Sequence, residues 1–138
     1  MGQITVDVEL ENMGDRQLAQ AGFRAEDEVR GVTVRAIADT GAVMLVLPKD
    51  VVDRLGVPVV STITTAFADG RRGQLPVAGT LTIRIGDRWM PTNCVVVPEG
   101  AEALVGQVVM ETLDLIPDPV NQTLGPRPES PDRPLLRV

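Results

Sequence analysis

The chain has 138 residues, a formal charge of -6, one cysteine and no histidine, with two Phe, one Trp and no Tyr as its only aromatics. That length suits one domain with a buried core, and the negative charge with so few stacking rings argues against nucleic acid as a partner. Without histidine, Ser-His-Asp and Cys-His catalysis and His-containing zinc sites are excluded, and the lone Cys94 makes neither an internal disulfide nor a thiolate cluster. Any chemistry must therefore use carboxylates, hydroxyls, Lys/Arg or backbone, and no metal or cofactor is expected.

No stretch approaches the ~18 apolar residues of a membrane span, and the N-terminus lacks the charged-then-apolar pattern of a signal peptide. Met1-Gly2 is followed by Val6 where a myristoylation signal needs Ser or Thr. A cytoplasmic protein without membrane contact is the expectation.

Ile4, Val6, Val8 and Leu10 alternate with Thr5, Asp7 and Glu9, a half-buried strand. Glu11 to Gly22 reads as a connection with at most one helical turn, and Glu26-Asp27-Glu28 as a solvated acidic loop that lacks the glycine and spaced oxygens of a calcium site. Val29 to Ala38 is a strand with Val32, Val34 and Ala36 on one face, and Met44 to Leu47 is another, stopped by Pro48. Pro48 to Gly56 predicts a short helix with Val51, Val52 and Leu55 inward and Gly56 as its C-cap.

Val59 to Phe67 and Gln74 to Ile85 predict two strands around Asp69-Gly70, the strongest two-residue hairpin signal in the chain; Gly86-Asp87 turns into a third strand, Trp89 to Val97. Cys94 sits in that apolar run as an inert buried thiol. Glu102 to Gly106 adds a strand, Gln107 to Leu113 a helix burying Val108, Val109 and Leu113, and Leu115-Ile116 pairs with Thr123-Leu124 across a turn. Pro126 to Pro134 is too proline-dense for a sheet interior, and the apolar ending Leu135 to Val138 is expected to dock as a C-terminal strand. Many short strands and one or two short helices make a single all-β domain over residues 1–138, a closed or nearly closed barrel.

Within this frame one acid stands out. Ile37-Ala38-Asp39-Thr40-Gly41-Ala42 sets a carboxylate between two apolar strands, where burying it costs several kcal/mol unless it is paired or neutralised. An Asp-Ser/Thr-Gly triplet arises by chance in roughly one chain in twenty of this length, so its weight comes from its company. In order come Asp69-Gly70 in a hairpin and Ala103-Leu104-Val105-Gly106 leading into a helix. This ordered set resembles the retroviral-type (retropepsin-like) aspartic protease superfamily, in particular its single-domain bacterial members. Leu113 to Asn121 is similar to the stretch after that superfamily's helix, and the departures at Val43 and Gln107 remove no group the chemistry needs.

The resemblance implies an aspartic endopeptidase in which Asp39 is the catalytic residue, supported by Thr40, Gly41 and Ala42, under a flap tipped by Ala68, Asp69 and Gly70. Val43, Leu45, Leu104 and Val105 are candidates for the substrate pocket, at least two of them expected to be core instead. With one Asp-Thr-Gly in the chain, a second carboxylate must come from a second subunit, so a two-fold homodimer is implied. Residues 2–6 and Leu135 to Val138 are the candidate dimer contacts, and an extended peptide is the expected substrate. Two other readings stay open: a catalytically silent dimeric peptide-binding module of the same fold, and an unrelated β-barrel in which the triplet is a turn.

Overall fold

The alternating N-terminal stretch forms β1 (Thr5–Asn12) and buries Val8, Leu10 and Asn12 on one side. The computed structural model describes residues 3–138, so the dimer contact expected at Gly2 lies outside the described residues. β1 pairs antiparallel with β2 (Gly31–Ala38) and with the second half of β5 (Arg72–Ile85). That double pairing closes six strands in the order β1-β2-β7-β3-β6-β5, where β3 is Leu45–Pro48, β6 is Arg88–Val97 and β7 is Ala103–Val105. Closure leaves those strands no free edge, and Leu45, Leu47, Leu81, Ile83, Val105 and Cys94 fill the interior with at most 1 % exposure each. Burial pushes the Cys94 thiol up to about 11.

β4 (Val59–Ala66) pairs only with the first half of β5, so this hairpin extends past the closed barrel. Its tip differs from the two-residue turn expected at Asp69-Gly70. Gly70 N–H donates to Phe67 O at 3.0 Å and Phe67 N–H to Arg71 O at 2.8 Å, which makes a three-residue loop, Ala68 to Gly70. Gly70 takes φ 85°, the left-handed residue such a loop needs. Gly86-Asp87 is the two-residue turn instead, joining Ile85 to Arg88.

Three α-helices form among the described residues, where at most two were expected. α2 (Lys49–Leu55) and α3 (Gln107–Leu113) match expectation; Val51, Val52 and Leu55 of α2 are buried. In α3 the inward residues are Val109, Met110 and Leu113, whereas Val108, expected inside, is 42 % exposed. The third, α1 (Met13–Gln20), replaces the connection read between Glu11 and Gly22. It lacks an apolar stripe and buries only Asp15; polar contacts hold it. Asn12 caps it by accepting from Asp15 N–H at 2.9 Å and donates to Leu55 O, also at 2.9 Å.

Asp15, 3 % exposed, is gripped by the Arg30 guanidinium at 2.8 and 3.0 Å, by Arg30 N–H at 3.0 Å and by Arg24. The Arg30 hydrogen bonds hold its carboxyl down at about 2. Arg30 in turn lies over Gly56, the α2 C-cap at φ 68°, where an added Cβ would fall 2.0 Å from Nη1.

After α3, Asp114 takes a left-handed φ of 57° and β8 (Leu115–Asp118) pairs with β9 (Thr123–Pro126) as a separate two-stranded hairpin. Buried Arg88 closes the end of α3, donating Nη1 to Leu113 O at 2.9 Å and to Asp114 O at 3.0 Å, and Nη2 to Ser130 O. The expected C-terminal strand does not form: residues 127–138 have no strand, and Leu135 and Leu136 are 59 % and 58 % exposed. Prolines 128, 131 and 134 lack an N–H for a ladder, and Leu135 N–H donates to the Asp114 carboxylate at 2.9 Å. Arg127 pairs with the same carboxylate and holds it well below the usual range.

Candidate active site at the end of β2

β7 lies between β2 and β3, parallel to the first and antiparallel to the second. In the β2–β7 register Ala38 is opposite Val105, so the chain leaves both strands side by side, at Asp39 and at Gly106. Asp39 N–H donates to Val105 O at 2.9 Å, which ties the acid to the strand end. From there the chain must pass around β7 to start β3, and residues 39–44 make that passage.

The first amides of α3 hold this loop. Gln107 N–H donates to Ala42 O at 2.8 Å and Val108 N–H to Val43 O at 2.9 Å. A helix leaves its first amides without partners inside the helix, and here the loop carbonyls supply them. Such contact requires glycine at 106: a Cβ there would lie 2.6 Å from Met44 O, 2.7 Å from Ala42 O and 2.8 Å from the Val43 carbonyl carbon.

Within the loop, Ala42 N–H closes a turn onto Asp39 O at 3.1 Å, and Gly41 N–H donates to Asp39 Oδ1 at 2.8 Å. A Cβ on Gly41 would sit 3.1 Å from that same oxygen, so glycine lets the amide face the carboxylate at short range. Asp39 is half-buried and Thr40 exposed. Both line an open groove of about 520 Å³ whose other walls include Ile4, Ile37, Pro117, Pro119 and Gln122. A second groove, of about 680 Å³, lies at Glu9, Arg84 and Trp89 and contains no residue of the Asp39 loop.

The structure brings Asp39, Thr40, Gly41 and Ala42 together in one loop. The pocket candidates divide. Val43 is 62 % exposed and Leu104 half-buried, whereas Leu45 at 1 % and Val105 at 0 % are core and present no surface to a substrate. Leu45 and Val105 face inward because the barrel's alternation puts them there, on strands that flank the loop. Ala68, Asp69 and Gly70 occupy the tip of the β4–β5 hairpin, where Asp69 pairs with Arg71 at 2.6 Å. The groove walls at Pro117, Pro119 and Gln122 were not foreseen; Asp118 to Gln122 reads locally as a turn, and nothing in its spacing says which surface it meets.

No curated protein matches the chain. The family described as "gag-polyprotein putative aspartyl protease" matches residues 25–112, a span that runs from before β2 to the last turn of α3 and takes in the Asp39 loop, the β4–β5 hairpin and Gly106. The chain belongs to this family of retroviral-type, retropepsin-like aspartyl proteases.

Proposed function

We propose that this protein is an aspartic endopeptidase whose catalytic unit is a two-fold homodimer, with one Asp39 from each chain. The observation that carries the reading is the Asp39 loop itself: a half-exposed carboxylate at a strand end, held by a glycine amide at 2.8 Å and facing an open groove. The chain holds a single Asp-Thr-Gly, so the second carboxylate belongs to the second copy.

Two carboxyls one water molecule apart cannot both ionise cheaply, and like other aspartic-protease dyads they share a proton. The ionised Asp39 takes a proton from the water as its oxygen attacks the scissile carbonyl carbon, while the protonated Asp39 gives its proton to the carbonyl oxygen. The resulting tetrahedral diol collapses: a proton passes to the leaving nitrogen, the C–N bond breaks, and an acid and an amine are released. Thr40, exposed beside the carboxylate, supports the paired loops across the two-fold axis. The β4–β5 hairpin serves as the flap that excludes water, and the substrate lies extended, with backbone hydrogen bonds for affinity and side-chain pockets for selectivity.

The test is cleavage of a peptide library from pH 4 to 8 by the wild-type protein and Asp39→Ala, with and without a pepstatin-like transition-state mimic. Cleavage should peak on the acidic side, where one carboxyl of the pair is protonated, and vanish in the variant. Equal cleavage by Asp39→Ala, or a rate still rising at alkaline pH, overturns the proposal. Peptide binding without cleavage would leave the silent binding module standing instead.

A further inference from the structure

We infer that the second groove, on the outer face of the barrel, is a binding site for a neutral saccharide, with a sugar ring stacked on Trp89 and adjacent hydroxyls set between Arg84 and Glu9. Nothing in this site depends on the chemistry at Asp39.

The strand registers build the floor. Leu10 and Ile83 are buried in the barrel, so their neighbours Glu9 and Arg84 point outward. Glu9 is opposite Thr33 on β2 and Arg84 on β5, and Arg84 is opposite Trp89 on β6. Thr33, Glu9, Arg84 and Trp89 thus stand in one row across four strands. In the next row Glu11 is opposite Thr82, and there α1 raises a wall: Arg16 and Gln20, one helical turn apart, both line the groove. The volume of about 680 Å³ is that of a small-ligand site. Thr33 lies about 20 Å before Asp39 along β2, and the parts of the groove from β1 and α1 precede residue 25, where the match to the protease family begins.

Two ion pairs in the groove differ in kind. The wall pair is closed: Arg16 donates Nε to Glu11 Oε1 at 2.7 Å and Nη2 to Glu11 Oε2 at 2.8 Å, and its Nη1 reaches Glu26 at 2.6 Å. The floor pair is open. Arg84 Nε and Glu9 Oε2 stand 3.9 Å apart, and no hydrogen bond among the described residues engages either side chain. A guanidinium with free N–H donors beside a carboxylate with free lone pairs offers both halves of a contact at one place. A vicinal diol takes up both, one hydroxyl donating to Glu9 while its neighbour accepts from Arg84. Trp89, 55 % exposed at the end of the row, supplies a flat apolar face for the C–H side of the ring.

Other ligands fit this surface less well. Its charges come as Glu9 with Arg84 and Glu11 with Arg16, so an anion meets two carboxylates and a cation two guanidiniums. A peptide strand finds no backbone edge at the centre of the floor: β1 at Glu9 is paired with both β2 and β5, and β5 at Arg84 with both β1 and β6.

Trp89 is the chain's only tryptophan, so its emission reports on the groove directly. The test titrates the full-length protein with cellotetraose, maltotetraose, mannotetraose and chitotetraose, reading Trp89 fluorescence and the heat of binding, with tetraglutamate and tetra-arginine as charged comparisons. At least one tetrasaccharide should change the emission, with the same affinity at low and high salt because the ligand carries no charge. Glu9→Ala and Arg84→Ala should each weaken that binding at least about tenfold, and the milder Glu9→Gln and Arg84→Lys should weaken it as well. Trp89→Ala should abolish the heat, whereas Arg54→Ala, exposed on α2 outside the groove, should bind like the wild type. No change of emission and no heat with any of the four sugars, wild-type affinity in either Glu9→Ala or Arg84→Ala, or tighter binding of either charged peptide than of every sugar each overturn the proposal.

Discussion

Asp15 and Asp39 are each held within a few residues of a strand end, yet their carboxylates live in opposite surroundings. Asp15 is 3 % exposed and saturated: the Arg30 guanidinium takes both oxygens, Arg24 adds a second cation, and a backbone amide completes the shell. Asp39 is half-exposed and accepts from one amide, that of Gly41; among the described residues no ion pair involves it. The two also differ in what positions them. Side-chain charge fixes Asp15, whereas Asp39 is placed by backbone alone, through Val105 O and the docking of its loop on the α3 amides. A structural acid is satisfied by its own chain. Asp39 is aimed and left with lone pairs to spare, as the proposed catalytic role requires.

Changing the uncommitted acid should have the largest effect. Asp39→Asn keeps the shape and the Gly41 contact but removes the proton exchange, so peptide cleavage should fall by about 10³-fold or more while the melting temperature barely moves. Similar loss of melting temperature and activity would mean that Asp39 is structural after all. Gly106→Ala comes next. Its Cβ would meet Met44 O at 2.6 Å and push the loop off α3; a shift near 1 Å should cost about 10²-fold in kcat, read from steady-state kinetics.

Disturbing the saturated acid should instead affect stability. Asp15→Asn leaves Arg24 and Arg30 without their counter-charge and should cost about 2 kcal/mol in chemical denaturation, with cleavage per folded molecule unchanged. Its pH dependence has a definite sign. The carboxyl sits at about 2 in the folded protein against 3.8 for its reference value, so the unfolded chain binds the proton more readily between those values. Stabilisation from Asp15 is therefore complete above about pH 4 and is lost as pH falls toward 2. Thermal melts should be flat from pH 7 to 5 and drop below 4, with a shallower drop in Asp15→Asn. The smallest effect belongs to the tip of the β4–β5 hairpin: breaking the exposed Asp69–Arg71 pair with Asp69→Ala should change stability by less than about 1 kcal/mol, and a larger change would show that the tip is packed rather than free.

The same contrast explains what could be read from the sequence. Alternation located β1, β2 and β5, the Gly86-Asp87 turn located β6, and the caps Pro48 and Gly56 bracketed α2, because burial and backbone conformation there depend on neighbours in sequence. The triplet, the hairpin and Gly106 were likewise visible as an ordered set. What escaped is held by distant partners. α1 has no apolar stripe to announce it and depends on Asp15 reaching Arg30; the insertion of β7 between β2 and β3 is a pairing choice no local pattern specifies. At least two of the four pocket candidates were expected to be core, and only closure of the barrel says that these are Leu45 and Val105. The C-terminal apolar run resembled a strand, but its first amide is captured by Asp114.

Cys94 carries a practical consequence. It is the chain's sole thiol, fully enclosed by the barrel and pushed up to about 11, so at neutral pH it is almost wholly un-ionised and slow toward alkylating reagents and oxidants. A cysteine placed anywhere on the surface would then be the one reactive sulfur in the molecule. Spin labels, fluorophores or cross-linkers could be attached at one chosen position without first removing a native residue, and any disulfide that joins two copies would report on that position alone.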